Sequence, residues 1–195
     1  MTSRLSAMIL TGGSSSRFGS DKSQAKLGSN TLIENILITL PSQIDIIVVG
    51  PQLANTSRPV RYTQEHPLGG GPVAAIAAGL NLIDSEFVVI IATDMPFASQ
   101  ILAVLTENFP DTEDATIPLD SAGIRQPLCA VYRTVPLSKS LKQLGNTHGQ
   151  SVRKLVQFLT VKELHLEPAL RRILLDVDTP SDLEQANSLN RESEE

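Results

Sequence analysis

Residues 5–22 read LSAMILTGGSSSRFGSDK, an apolar run that passes directly into a segment rich in glycine and serine. The run from Leu5 to Leu10 predicts a first strand that is buried on both faces. The segment after it offers flexible backbone amides, three serine hydroxyls and two cations, Arg17 and Lys22. Amides and cations together suit a chain of phosphates, whereas a solvated polar loop is the alternative interpretation. This junction predicts an α/β protein with an anion site at the end of its first strand.

The glycine spacing in this segment differs from the two common phosphate-binding motifs. Gly12, Gly13 and Gly19 do not follow the dinucleotide-binding pattern, and no Gly-Lys-Ser/Thr follows at the distance that a P-loop requires. The segment therefore indicates phosphate binding of another kind.

Strands and helices alternate along the first two thirds of the chain, which predicts a mostly parallel sheet with helices on both faces. Thr179, Pro180 and Asp182 are typical of a helix start and predict the beginning of the final helix. We expect one domain over residues 1–190 and a polar tail over 191–195. The expected strands are 5–10, 44–49, 60–63, 87–92, 115–118, 128–132, 161–166 and 173–175. The expected helices are 32–40, 73–83, 101–109, 136–144, 151–159 and 183–189.

Composition narrows the possible partners. The chain has 195 residues, a net charge of -5 and 41% hydrophobic residues. The acidic balance argues against a nucleic-acid partner, and no apolar run reaches the length of a membrane span. Its single cysteine, Cys129, lies in an apolar run, so we expect a buried, inert thiol. A cytoplasmic location is the expectation.

The most apolar predicted strand, 87–92, ends at Thr93 and Asp94. A carboxylate at the carboxyl end of a central parallel strand lies where open α/β sheets bind ligands. One carboxylate plus phosphate oxygens and waters is a usual arrangement for Mg²⁺. Asp94 is therefore the metal candidate, and a helix cap is the alternative.

Five segments together resemble the molybdenum cofactor guanylyltransferase (MobA-like) family of nucleotidyltransferases. They are Leu10–Lys22, Gly70–Pro72, Thr93–Pro96, Arg125–Leu128 and Asp176–Leu183. Two departures stand out. Thr11 replaces the family's usual alanine, and Asp176 and Asp178 occupy positions where the family commonly has asparagine.

The resemblance implies a three-layer Rossmann-like fold and transfer of GMP from GTP to the phosphate of molybdopterin, with Mg²⁺ and release of pyrophosphate. It implies that Arg17, Lys22 and Asp94 are catalytic, with Asp94 on the metal. It also implies that other molybdenum cofactor proteins are partners of this one. Asp176 and Asp178 are expected near the second substrate or outside the metal's first coordination sphere. The implied nucleotide-binding residues are Leu10, Thr11, Gly12, Gly13, Lys22, Glu65, Gly71 and Asp94.

Two alternatives stay open from the sequence. One is a cytidylyl- or guanylyltransferase that acts on another small phosphorylated substrate. The other is a nucleotide-binding relative without catalytic activity. The presence of Arg17, Lys22 and Asp94 together favours an enzyme, because a protein that only binds nucleotide has little need of the metal carboxylate.

Overall fold

A computed structural model describes residues 4–11, 25–53 and 55–192 of the chain. A seven-stranded sheet forms its centre, with the spatial order β5-β4-β1-β6-β8-β7-β9. A separate antiparallel hairpin joins β2 to β3. The strands are β1 (Leu5–Leu10), β2 (Lys26–Leu27), β3 (Asn30–Thr31), β4 (Asp45–Val49), β5 (Arg61–Thr63), β6 (Phe87–Ala92), β7 (Ala115–Leu119), β8 (Cys129–Arg133) and β9 (Val161–His165).

Six helices accompany the strands within the described residues. They are α1 (Leu32–Thr39), α2 (Pro72–Leu80), α3 (Leu102–Glu107), α4 (Thr134–Leu144), α5 (Val152–Val156) and α6 (Pro180–Glu192). Two 3₁₀ segments, Ala98–Ile101 and Pro168–Leu174, precede α3 and α6.

All strands of the central sheet except β8 run in the same direction. The pairs β1–β4, β1–β6, β4–β5 and β7–β9 are parallel, and β8 is antiparallel to both β6 and β7. The carboxyl ends of the six parallel strands therefore share one side of the sheet, the carboxyl edge. Their starts share the opposite side, the amino edge.

The sheet is buried on both faces. In β1, Ala7 and Ile9 pack toward α1, α3 and α6, whereas Met8 and Leu10 pack toward α2, α4 and α5. Successive side chains of a strand point to opposite faces, so a strand between two helical layers must be apolar at every position. This arrangement confirms the predicted three-layer α/β architecture.

Local sequence signals set the helix starts. The hydroxyl of Thr31 accepts the amide of Glu34 at 3.2 Å and caps α1. At α6, Asp182 Oδ2 accepts the amide of Thr179 at 2.7 Å, and Thr179 Oγ1 accepts the amide of Asp182 at 3.2 Å. This reciprocal capping box confirms the helix start predicted at Thr179, Pro180 and Asp182.

The amino edge is held by an aromatic and ionic cluster. The rings of Phe87 and Phe109 stack with centroids 4.3 Å apart. The guanidinium of Arg4 lies over both rings, and that of Arg133 lies over Phe87. Glu86 accepts from both arginines, at 3.1 Å and 3.2 Å.

Three local features of the structure differ from the expectations: a wrong strand, an unpredicted hairpin and a longer final helix. The predicted strand 173–175 is wrong, because Ile173 and Leu174 end a 3₁₀ segment that lies against the other 3₁₀ segment, Ala98–Ile101, and bury their side chains in the core. A short apolar run has no distinctive period, so its sequence does not separate the two states. The hairpin β2–β3 was not predicted, and α6 continues to Glu192, past the expected start of the tail.

Two expectations from composition agree with the fold. Cys129 is fully buried, and burial raises the pKa of its thiol to about 12, so it remains protonated. Across the described ranges, none of the helices combines the length and the apolar character that a membrane crossing needs.

Candidate functional site

Three carboxylates converge at the carboxyl edge. Asp94 follows β6, and Asp176 and Asp178 lie in the segment before α6. One carboxylate oxygen from each residue lies within 4.8 Å of the other two. Asp94 is half-buried and the other two are exposed. The backbone fixes this approach, because the amide of Val177 donates to the carbonyl of Asp94 at 2.8 Å.

The donor set of this acidic cluster, Asp94, Asp176 and Asp178, fits a magnesium ion. Mg²⁺ binds oxygen ligands at about 2.1 Å in octahedral geometry, so two oxygens on opposite sides of it are about 4.2 Å apart. The observed spacing of 4.8 Å or less needs only a small adjustment to reach that geometry. Like charges at this distance repel, and a cation between them removes the repulsion.

The end of β1 is tied to its neighbours on both sides. Thr11 donates its amide at 3.0 Å and its hydroxyl at 3.1 Å to the carbonyl of Val49. The carbonyl of Leu10 accepts the amide of Thr93 at 3.1 Å. The implied nucleotide-binding residues Leu10 and Thr11 thus lie at a strand end whose backbone groups also form hydrogen bonds of the sheet. These bonds hold Leu10 and Thr11 in one position.

Gly50 accommodates the threonine that replaces the family's usual alanine. Its φ is +144°, and a Cβ at this position would overlap the Thr11 hydroxyl. A residue without a side chain is required here for both reasons. The unusual Thr11 is therefore compatible with the fold because glycine faces it across the strand ends.

A second loop at the carboxyl edge connects β5 to α2. The carboxylate of Glu65 accepts the amide of Gly69 at 3.1 Å, and the carbonyl of Gly70 accepts the amide of Gly149 at 2.8 Å. Gly71 has a φ of +82° and directly precedes Pro72, the first residue of α2. The predicted nucleotide contacts Glu65 and Gly71 thus lie in a loop that one hydrogen bond within it, accepted by Glu65, and one from Gly149 hold in place.

The structure brings some predicted residues together and leaves others undescribed. Asp94 lies beside Asp176 and Asp178, which we expected farther from the metal. An aspartate on each side of the buried Val177 suggests that the two carboxylates share one side of the segment, but this local pattern does not show that they meet Asp94. Gly12, Gly13, Arg17 and Lys22 lie outside the described residues, so their predicted roles stay predictions.

Comparisons with known proteins agree with this architecture. Two relatives named probable molybdenum cofactor guanylyltransferase match the chain over nearly its full length. That of Bacillus mycoides is 29% identical, over 94% of this chain and 96% of its own. That of Natranaerobius thermophilus is 31% identical, over 95% and 96%.

A solved structure shows the same fold. Molybdopterin-guanine dinucleotide biosynthesis protein A from Archaeoglobus fulgidus superposes with a TM-score of 0.74 over 96% of this chain and 99% of that one, at 22% identity. A sequence profile of the MobA-like NTP transferase domain matches residues 7–165. The chain belongs to the MobA-like NTP transferase family.

Proposed function

We propose that this protein transfers GMP from GTP to the terminal phosphate of molybdopterin and releases pyrophosphate. The observation that carries the proposal is the convergence of Asp94, Asp176 and Asp178 at the carboxyl edge of a MobA-like NTP transferase. The names of the two relatives that match over nearly the full length favour GTP as the nucleotide and the molybdenum cofactor as the acceptor.

The reaction needs alignment and charge neutralisation more than proton transfer. A phosphate monoester has a second pKa of about 6, so the acceptor is largely ionised at neutral pH and needs no general base. Its oxygen attacks the α-phosphorus of GTP, the bond from that phosphorus to the bridging oxygen breaks, and pyrophosphate leaves. The protein must hold the two anions in line and offset their repulsion.

The acidic cluster is the proposed magnesium site, with Asp94 as the principal ligand. Bound there, Mg²⁺ would offset the negative charge of the phosphates. Asp94 follows β6, the central strand of the sheet, which positions its carboxylate. The hydrogen bond from the Val177 amide to the Asp94 carbonyl keeps Asp176 and Asp178 beside it. Placement on a central strand gives this ligand a fixed position.

The remaining roles follow the family resemblance. Arg17 and Lys22 would bind the triphosphate, where the lysine can meet the charge that develops on pyrophosphate. Leu10, Thr11, Gly12, Gly13, Glu65 and Gly71 would surround the nucleotide. The hydrogen bonds of Thr11 with Val49 and of Glu65 with Gly69 support this, because they hold two of the surrounding segments in fixed positions.

The test is a reconstitution with purified protein, MgCl₂, GTP and molybdopterin. We expect pyrophosphate and guanylylated molybdopterin in equal amounts, with neither formed when the acceptor or the metal is omitted. Equal or faster turnover with CTP would assign the protein to the cytidylyltransferases. Binding of GTP without product from molybdopterin or any other small phosphate would instead indicate a relative that only binds nucleotide.

A further inference from the structure

Thr93, the residue before Asp94, makes two hydrogen bonds to one acceptor. Its amide and its hydroxyl both donate to the carbonyl of Leu10, at 3.1 Å and 3.2 Å. A carbonyl oxygen has two lone pairs, so one acceptor can serve both donors. The amide bond continues the parallel pairing of β1 with β6, whereas the hydroxyl bond is additional to that pairing. The side chain of Thr93 therefore adds a restraint that strand pairing alone does not supply.

The end of β1 that accepts these bonds is itself held in the same way. The amide and the hydroxyl of Thr11 donate to the carbonyl of Val49, at 3.0 Å and 3.1 Å. One strand farther out, the amide of Gly50 donates to the carbonyl of Thr63, the last residue of β5, at 2.9 Å. Leu10 is therefore tied through β4 to β5, and it gives Thr93 a fixed support.

Asp94 lies in a tight turn that begins at the end of β6. The amide of Met95 donates to the carbonyl of Ala92 at 3.1 Å, so Thr93 and Asp94 are the two central residues of this turn. The backbone angles of the first central residue set the direction in which the second one leaves the strand. A restraint on Thr93 therefore reaches Asp94 through one planar peptide unit.

The other side of Asp94 is bound to the segment that carries Asp176 and Asp178. The amide of Val177 donates to the carbonyl of Asp94 at 2.8 Å. The backbone of Asp94 is thus held from β1 through Thr93 and from the 176–178 segment through Val177. Mg²⁺ requires nearly ideal octahedral geometry, so a shift of the turn against either neighbour would weaken a metal bound by the acidic cluster.

The Thr93 side chain is suited to this role. Thr93 is only 6% exposed, and a buried hydroxyl costs stability unless it forms a hydrogen bond. Its branched Cβ restricts the side chain to few rotamers, so the bond to Leu10 restrains the Thr93 backbone as well. Valine has nearly the same shape and volume but no hydroxyl. A valine variant therefore removes the restraint and keeps the packing.

We infer that the Thr93 hydroxyl is a positioning group for the metal site, because it fixes the turn that carries Asp94 against the end of β1. This inference rests on the proposed function, in which Asp94 is the principal magnesium ligand. Thr93 acts through Asp94 and is a positioning residue. Loss of a group that orients a metal ligand typically costs about 10–100-fold in metal affinity or activity.

The test compares Thr93→Val and Thr93→Ser with Thr116→Val. Serine keeps a hydroxyl that can reach Leu10. Thr116 is a matched control, since it is fully buried in β7 and donates its hydroxyl to the carbonyl of Asn108 at 2.8 Å. Thr116→Val thus also removes a buried threonine hydroxyl bond, but away from the acidic cluster.

We expect Thr93→Val to lower kcat about tenfold at saturating Mg²⁺ and to weaken Mg²⁺ binding about tenfold. The KM for GTP should stay within about twofold, because the loss concerns alignment of the metal more than binding of the nucleotide. Thr93→Ser should restore both values to within about threefold of wild type, since it restores the donor. Thr116→Val should lower thermal stability and leave kcat and Mg²⁺ affinity unchanged.

Titration of thermal stability with MgCl₂ separates this inference from the proposed function. The Tm without metal reports the structural cost of each variant, and its rise with MgCl₂ reports affinity without turnover. Weaker Mg²⁺ binding by Thr93→Val, with rescue by serine, supports the inference even if the wild type transfers no nucleotide. Unchanged kcat and Mg²⁺ affinity in Thr93→Val would overturn it and leave the proposed function standing. Equal losses in Thr116→Val would also overturn it, since they would indicate a general effect of stability.

Discussion

The two edges of the central sheet differ in the charged groups that they bring together. At the amino edge, Arg4 and Arg133 share Glu86 and stack on aromatic rings, so positive and negative groups are matched. At the carboxyl edge, three carboxylates lie within 4.8 Å of one another. Matched charges stabilise a fold, whereas several carboxylate oxygens that converge on one point are typical ligands of a divalent cation. The proposed function therefore predicts that substitutions at the amino edge affect stability and substitutions at the carboxyl edge affect activity.

The helix ends show the same contrast. Near the amino edge, the guanidinium of Arg58 donates to four carbonyls at the end of α1 and just beyond it, those of Leu37, Leu40, Pro41 and Ser42, at 2.7–3.2 Å. These are carbonyls that a helix end leaves without helical partners. At the carboxyl edge, the described loop between β5 and α2 instead presents glycines and the carboxylate of Glu65. Substitutions at the two edges should therefore have separable effects.

The largest expected effect comes from Asp94. We expect Asp94→Ala to lower kcat by about 10³-fold, since a metal contributes several kcal/mol and 1.36 kcal/mol corresponds to tenfold. Rates of pyrophosphate release measure it. The matched control is Asp84→Ala, which removes an exposed aspartate near the other end of β6 and should leave kcat unchanged. Full activity of Asp94→Ala would refute the metal assignment.

Arg133→Ala should have the next largest effect, and on stability instead of activity. Its guanidinium donates to the carbonyls of Pro110, Asp111 and Glu113 and pairs with Glu86. We expect a loss of about 2–3 kcal/mol in the free energy of unfolding, because hydrogen bonds to charged groups contribute about 1.5–3 kcal/mol each and are not additive. Urea unfolding measures the loss.

The matched control for Arg133 is Arg4→Ala, on the same aromatic ring. The Arg4 side chain is 66% exposed, compared with 27% for Arg133, so its loss should cost less than about 1 kcal/mol. Equal losses in the two variants, or a fall in kcat for Arg133→Ala, would contradict the division between the edges.

The smallest of these effects concerns Asp176. Asp176→Asn keeps an oxygen ligand but removes one negative charge from the acidic cluster, so the affinity for Mg²⁺ should fall about tenfold. The variant installs the residue type that the family commonly has at this position. A titration of thermal stability with MgCl₂ gives the affinity through mass action. An unchanged affinity would place Asp176 outside the metal site.

Sequence patterns were sufficient for the parts of the fold that depend on local chemistry. The continuous apolar runs predicted β1, β4 and β6, since a strand covered on both faces must be apolar throughout. The capping box predicted the start of α6 because all its partners lie within four residues. Gly71 and Pro72 likewise stand at the start of α2.

Features that depend on distant segments were not predictable in this way. The approach of Asp176 to Asp94 joins segments about 80 residues apart through the hydrogen bond of Val177, and no local pattern encodes it. A cavity lined by Arg125 and Arg153 likewise joins the loop after β7 to α5. The strand predicted at 173–175 was wrong for another reason. The burial of Ile173 comes from tertiary packing, which a run of three apolar residues does not specify.

The ion pair between Arg125 and Glu163 has a consequence for the solubility of the protein. Glu163 lies in β9, the outermost strand on one side of the sheet, where unpaired backbone groups could pair with another molecule. Lys162 and Glu163 place charges along this strand, and such charges discourage aggregation through an open sheet edge. Glu163 therefore both pairs with Arg125 and helps to protect the sheet from extension by another molecule.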